Sequence, residues 1–113
     1  MANTSVIRQT GQTIALSVVA TSHAAVPLVN QANDILNFIC CLNTGAVAVA
    51  IRISQTGTAA VLPIDGTPGD FILPAAMNQP IVISVPQKNP QITAIGTAAG
   101  PSLVYITPMG DQS

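Results

Sequence analysis

Charge is what this chain lacks most. Lys, Arg and Asp together make up 6% of 113 residues, where an ordinary soluble domain carries about 25%. Glutamate is absent, so all four acids are aspartates: Asp34, Asp65, Asp70 and Asp111. With only Arg8, Arg52 and Lys88 as cations and a formal net charge of -1, there is no basic patch to neutralise phosphates, which argues against nucleic acid as a partner. A polybasic membrane-binding surface is missing for the same reason. Tryptophan is absent and the aromatics are Phe38, Phe71 and Tyr105, too few for the stacking platforms of a typical sugar-binding sandwich. Tyr105 alternates with Leu103 along a strand and is expected to pack in the core. No apolar run is long enough to span a bilayer, because Asn37, Asn43-Thr44-Gly45 and Arg52 interrupt the stretch from Ile35 to Ile53. The opening "MANTSVIRQTGQ" contains no apolar signal segment, so the chain is expected to be made in the cytoplasm and to be soluble.

Groups for chemistry are equally scarce. His23 is the only imidazole, and although Ser22 stands beside it, neighbouring strand residues face opposite ways and no nucleophile-elbow glycines surround any serine. Cys40 and Cys41 are adjacent, which makes a bridge between them strained, and they read as two small buried hydrophobes. One histidine and no CxxC spacing leave zinc, or a cupin-type metal, without ligands. Asp65 and Asp70 bracket a glycine-containing loop that matches no defined calcium motif, so turn formation is their expected role. The expectation is a protein that is not an enzyme and takes no cofactor or metal.

What the chain has is alternation. Nine prolines fall mostly at the ends of apolar runs, and none lies between Leu28 and Leu62, where the central paired strands are expected. The pattern predicts strands at Gln12 to Ala20, Ala25 to Val29, Ile35 to Leu42, Ala46 to Ile53, Ala59 to Leu62, Asp70 to Leu73, Ile81 to Val85, Gln91 to Ile95 and Ser102 to Thr107. Eight to nine short strands at roughly ten-residue spacing imply an all-β, antiparallel β-sandwich of jelly-roll type. Its buried faces are expected at Ile14, Leu16 and Val18; Val47, Val49 and Ile51; Ile81, Ile83 and Val85; and either Leu103 with Tyr105 or Val104 with Ile106. Asn43-Thr44-Gly45 and Gln55-Thr56-Gly57 read as tight hairpin connections with glycine supplying positive φ. "PIDGTPGDF" reads as an irregular excursion. Residues 1–11 are expected to form a polar N-terminal arm, 12–108 the sandwich, and 109–113 a C-terminal tail.

The stretch "LNTGAVAVAIRI" carries the strongest functional hint. Val47, Val49, Ile51 and Ile53 share one strand face, whereas Ala46, Ala48, Ala50 and Arg52 share the other. A solvent face usually carries Thr, Lys, Glu or Gln, so an alanine row needs cover. The strand before it is apolar on both faces, with Ile35, Ile39 and Cys41 on one side and Leu36, Phe38, Cys40 and Leu42 on the other. Two readings stand: a partner subunit buries the row in a permanent assembly, or the chain's own loops cover it. On the first reading Ala46, Ala48, Ala50 and Arg52 form an interface, joined by Val6, Ile7 and Arg8 of the arm.

"NTGAVAVAIRI" (Asn43 to Ile53), "PIVISVP" (Pro80 to Pro86) and "ITAIGTAAGPSLVYITPMG" (Ile92 to Gly110) together resemble the plan of small tailed-bacteriophage virion proteins. In that plan an N-T-G hairpin leads into a strand ending in Arg, and an L-x-Y-[VI]-T-P-x-G strand closes the fold. Ser54-Gln55 departs from the glycine that often follows the Arg. The resemblance implies a capsid decoration (cement) protein on the virion exterior, bound to the major capsid protein as a homo-oligomer, dimer or trimer. A head-fibre, tail-adaptor or carbohydrate receptor-binding module is the alternative.

Overall fold

The computed structural model describes residues 7–28, 38–85 and 90–111, and within them the chain is all strand and loop. Nine strands run in order: β1 (Ile7–Gln9), β2 (Ile14–Val18), β3 (Val26–Pro27), β4 (Phe38–Asn43), β5 (Val49–Ser54), β6 (Phe71–Leu73), β7 (Ile81–Ser84), β8 (Gln91–Gly96) and β9 (Ser102–Asp111). All pairings are antiparallel and nested: β2 pairs with β9, β3 with β8, β4 with β7 and β5 with β6. Two further pairings, β4 with β9 and β5 with β8, tie this folded-over ribbon into two sheets. The front sheet runs β2-β9-β4-β7, with β1 beside β2 on the same edge of β9, and the back sheet runs β3-β8-β5-β6. This is the double-sheet jelly-roll arrangement.

The core lies between the sheets and follows the period-two pattern. Leu16, Val18, Ile39, Cys41, Val104 and Ile106 point inward from the front sheet; Val49, Ile51, Leu73, Ile92 and Ala94 meet them from the back. Each fully buried aliphatic side chain contributes about 1.5–3 kcal/mol relative to exposure. Of the two alternatives for β9, Val104 and Ile106 are the buried pair, and Tyr105 stands on the outer side of the front sheet.

Several elements differ from the sequence expectation. The expected arm is partly sheet: Ile7–Gln9 pairs with Met109–Asp111, and Thr10 is buried, while residues 1–6, Val6 included, lie outside the described residues. The expected tail likewise begins inside β9, which continues through Pro108 to Asp111. Pro108 is tolerated there because its carbonyl accepts from Thr10 N–H (2.9 Å), so its missing donor faces the same edge, where β1 hands over to β2. Between the pairs Gln9↔Met109 and Ile14↔Ile106 the N-terminal strand takes five steps to three on β9, a bulge at the proline. The pairing of β9 with β4 on its other side is unbroken from Phe38↔Met109 to Asn43↔Val104. Residues 35–37 of the expected third strand, and Val29 of the second, lie outside the described residues. Ala59 to Leu62 is loop, not strand, because this segment serves as cover for the back sheet.

Candidate interaction surface

The alanine strand has the expected parity but a different fate. The loop 55–70 between β5 and β6 crosses the outer side of the back sheet and is tied down along its course. Thr93 Oγ1 donates to Thr58 O (2.8 Å), Ala60 N–H donates to Ser22 Oγ (3.1 Å), and Gln91 Nε2 donates to Gln55 O (3.0 Å). Ala50 is fully buried and so is Thr93, which pairs with Arg52 and stands diagonally across from Ala50, so β5 and β8 are buried on both faces at their centres. Ala50 is therefore not an accessible interface residue; Ala48 is half-buried and only Ala46 is exposed. Of the two readings, cover by the chain's own loop applies to Ala50.

Arg52 belongs to the same cover. Its guanidinium lies 3.8 Å from Asp70 Oδ1, and Asp70 Oδ2 accepts Val61 N–H (2.7 Å) while Asp70 N–H donates to Val61 O (2.8 Å). These contacts close the excursion 61–70 at its base, and reciprocal bonds between Ile64 and Thr67 close its tip around the Asp65-Gly66 turn. Ile64 projects from that tip, 66% exposed. Where β6 begins, an open cleft of about 420 Å³ is lined by Ile51, Arg52, Ile53, Asp70, Phe71 and Ile83. Its charges are already paired with each other, and its remaining lining is apolar. Backbone pairing places Ile7 and Arg8 opposite Asp111 and Gly110 at one end of the front sheet.

Asn43-Thr44-Gly45 is not a hairpin, because β4 lies in the front sheet and β5 in the back; it is a corner between them. Asn43 is wholly buried and organises it. Its Nδ2 donates to Val47 O (2.9 Å), Pro74 O (3.1 Å) and Leu73 O (3.4 Å), and its Oδ1 accepts from Gly45 N–H (3.1 Å) and Ser102 Oγ (2.8 Å). Gly45 is needed for close approach, not for positive φ: a Cβ there would fall inside Ser102, within 2.6 Å of its Cα. Gly57 does have φ of +70°, but the chain leaves it into the covering loop instead of returning as a hairpin.

Among the described residues, no loop covers the outer side of the front sheet. Strand pairing puts Cys40 beside Thr107 and Val82, Leu42 beside Tyr105, Phe38 beside Met109 and Ser84, and Ala15 and Ser17 beside Tyr105 and Leu103. None of these residues is charged. Leu103 and Val82 are 38% and 44% exposed, and Phe38, Cys40, Leu42, Tyr105 and Met109 are half-buried by one another. Thr13 and Thr107 share a hydroxyl hydrogen bond of 2.8 Å at the margin. No described loop hydrogen-bonds across this face as loop 55–70 does behind. The strand alternation Phe38-Cys40-Leu42 carried the signal; assigning Tyr105 to the core concealed how far the face extends.

The remaining candidates are structural in their contacts. His23 N–H donates to Ala94 O (2.7 Å) and its Nδ1 lies 2.7 Å from Ala24 O, while Ser22 is engaged by the covering loop. Both cysteines are free. Burial raises the pKa of Cys40, and burial followed by the neighbouring Cys40 pushes the Cys41 thiol up to about 12, so neither is held as a reactive thiolate. Among the described residues no three His, Cys, Asp or Glu side chains converge as a metal site, and no helix is long and apolar enough to cross a membrane.

No protein-family model, curated protein or solved structure matches the chain.

Proposed function

We propose that this protein is a structural subunit that works by packing, with the outer face of its front sheet buried in a protein assembly, and that the assembly is a bacteriophage capsid which it decorates. The single observation that carries the reading is that uncharged face, which no described loop covers. Contiguous apolar surface of this kind, rimmed by small polar residues, marks protein contact. The phage setting rests on the resemblance of the N-T-G, P-I-V-I-S-V-P and L-V-Y-I-T-P-M-G segments, and the jelly roll alone does not choose a function. A decoration protein touches several subunits at once, so modest contacts combine through effective concentration and repeat over the lattice. Such a role asks for no tuned acid, base or nucleophile.

The test is co-sedimentation of the purified chain with capsid particles from which it has been deleted. The reading predicts saturable binding, restored heat resistance of the particles, and loss of both with Tyr105→Lys. Binding to glycans in place of particles, dependent on Tyr105, would replace the reading with a receptor-binding module.

A further inference from the structure

We infer that a second copy of this chain covers the outer face of the front sheet, making a two-fold dimer in which the two front sheets pack face to face. The inference rests on the reading that this face is buried in an assembly, and it names the occupant.

The size of the face suits a dimer. Four strands spaced ~4.8 Å apart make it ~20 Å wide, and β9 from Leu103 to Met109 at ~3.4 Å per residue, with side-chain overhang, makes it ~25 Å long. That is about 500 Å² per copy and ~1,000 Å² for the pair, the level a specific interface has to clear. The layout follows interface anatomy. Cys40, Leu42 and Tyr105 form an apolar centre on β4 and β9, while Thr13, Ser17 and Ser84 sit at the margins.

Charge selects the partner. A two-fold contact brings each residue near its own copy, and like charges there are costly. This face has none between Leu103 and Met109, whereas Arg52, Asp65 and Asp70 all belong to β5 and the excursion behind. The one surface shown to have the matching uncharged chemistry is the same face on another copy. Aligned sheets ~10 Å apart bury side chains of this size without rearrangement.

Sedimentation equilibrium of the full chain, from low-micromolar to near-millimolar concentration, tests the inference. The wild-type chain is expected to reach twice the chain mass. Leu103→Lys and Val82→Lys, both at partly exposed outward positions, should each weaken association by roughly tenfold or more with unchanged far-UV circular dichroism. Ile64→Lys, at the tip of the rear excursion, should associate as wild type does. A wild-type chain that stays monomeric throughout, or a dimer indifferent to both front-face lysines, overturns the inference. A monomer that still binds particles in a Leu103-dependent way overturns the second copy but keeps the proposed function; a monomer that binds nothing ends both.

Discussion

Replacing Asn43 by alanine removes the residue that joins the two sheets at their corner. The amide serves the carbonyls of Val47, Leu73 and Pro74, the N–H of Gly45 and the hydroxyl of Ser102, all from a fully buried position. Ser102 Oγ lies 2.9 Å from Val47 O and can keep that carbonyl satisfied. Gly45 N–H and Leu73 O lose a partner in a site with little room for water, and each unsatisfied group costs about 1–3 kcal/mol. The total is therefore about 2–6 kcal/mol, a large share of the ~5–15 kcal/mol that holds a domain folded. With a urea slope of ~1–2 kcal/mol/M, the midpoint should fall by about 1 M or more at constant slope. Far-UV circular dichroism follows the transition, and Ser102→Ala alone should cost only about 1 kcal/mol. The double variant should lose less than the sum, because the two residues act as one network. A loss below about 1 kcal/mol for Asn43→Ala would refute the corner argument.

Three further outcomes are expected. Gly45→Ala should be destabilising by roughly 3 kcal/mol, since the added methyl must displace Ser102 backbone; a thermal melt within a degree or two of wild type would contradict this. Alkali should weaken the fold through Cys41: its folded pKa of about 12 exceeds the ordinary 9.0, so the unfolded chain gives up the proton first. The stabilising margin is complete below pH 9 and falls by up to about 1.4 kcal/mol per pH unit as pH rises towards 12. Cys41→Ala should flatten that part of the stability profile, and parallel profiles would count against it. Asp70→Ala should cost about 0.5–1.5 kcal/mol, the net value of the hydrogen bond that its carboxylate accepts from the exposed Val61 N–H. Arg52→Ala should cost under about 1 kcal/mol, since the ion pair is long and its Arg is 38% exposed; chemical denaturation giving the reverse order would show the pair to be the stronger tie.

How much of this was legible in the sequence depended on how local each decision is. The alternation of Ile14-Leu16-Val18 and Val49-Ile51 announces inward faces directly, and the proline-free span from Leu28 to Leu62 correctly marks central strands. The jelly-roll count followed from spacing alone. The corner at Asn43 read as a hairpin because its partners Ser102 and Leu73 are remote in sequence, and a three-residue turn signal says nothing about which sheet the chain enters next. Ala59 to Leu62 looked like a strand because a loop that covers a sheet is as apolar as one. Ala50 was correctly set on the outer side, but the cover over it comes from contacts at Thr58 and Ala60 that no periodicity records. β1 was missed because a three-residue strand, Ile7–Gln9, is too short to alternate, and β9 ran on because the bulge beside Pro108 removes the usual objection to proline. The front face was half-visible in Phe38-Cys40-Leu42; the rest became visible only when pairing placed Leu103 and Tyr105 beside them.

Cys40 stands in the middle of that face, opposite Thr107 and Val82, and its alkylation rate tests the central claim most directly. In a Cys41→Ala chain it is the only thiol, so a maleimide reports on that spot alone at a fixed pH. The account predicts that the rate falls steeply as the chain is concentrated into its assembled form and recovers on dilution. A rate that stays constant across the same range would mean that no second copy covers the front sheet, and the face-to-face dimer would fall with it, leaving the capsid reading to co-sedimentation with particles.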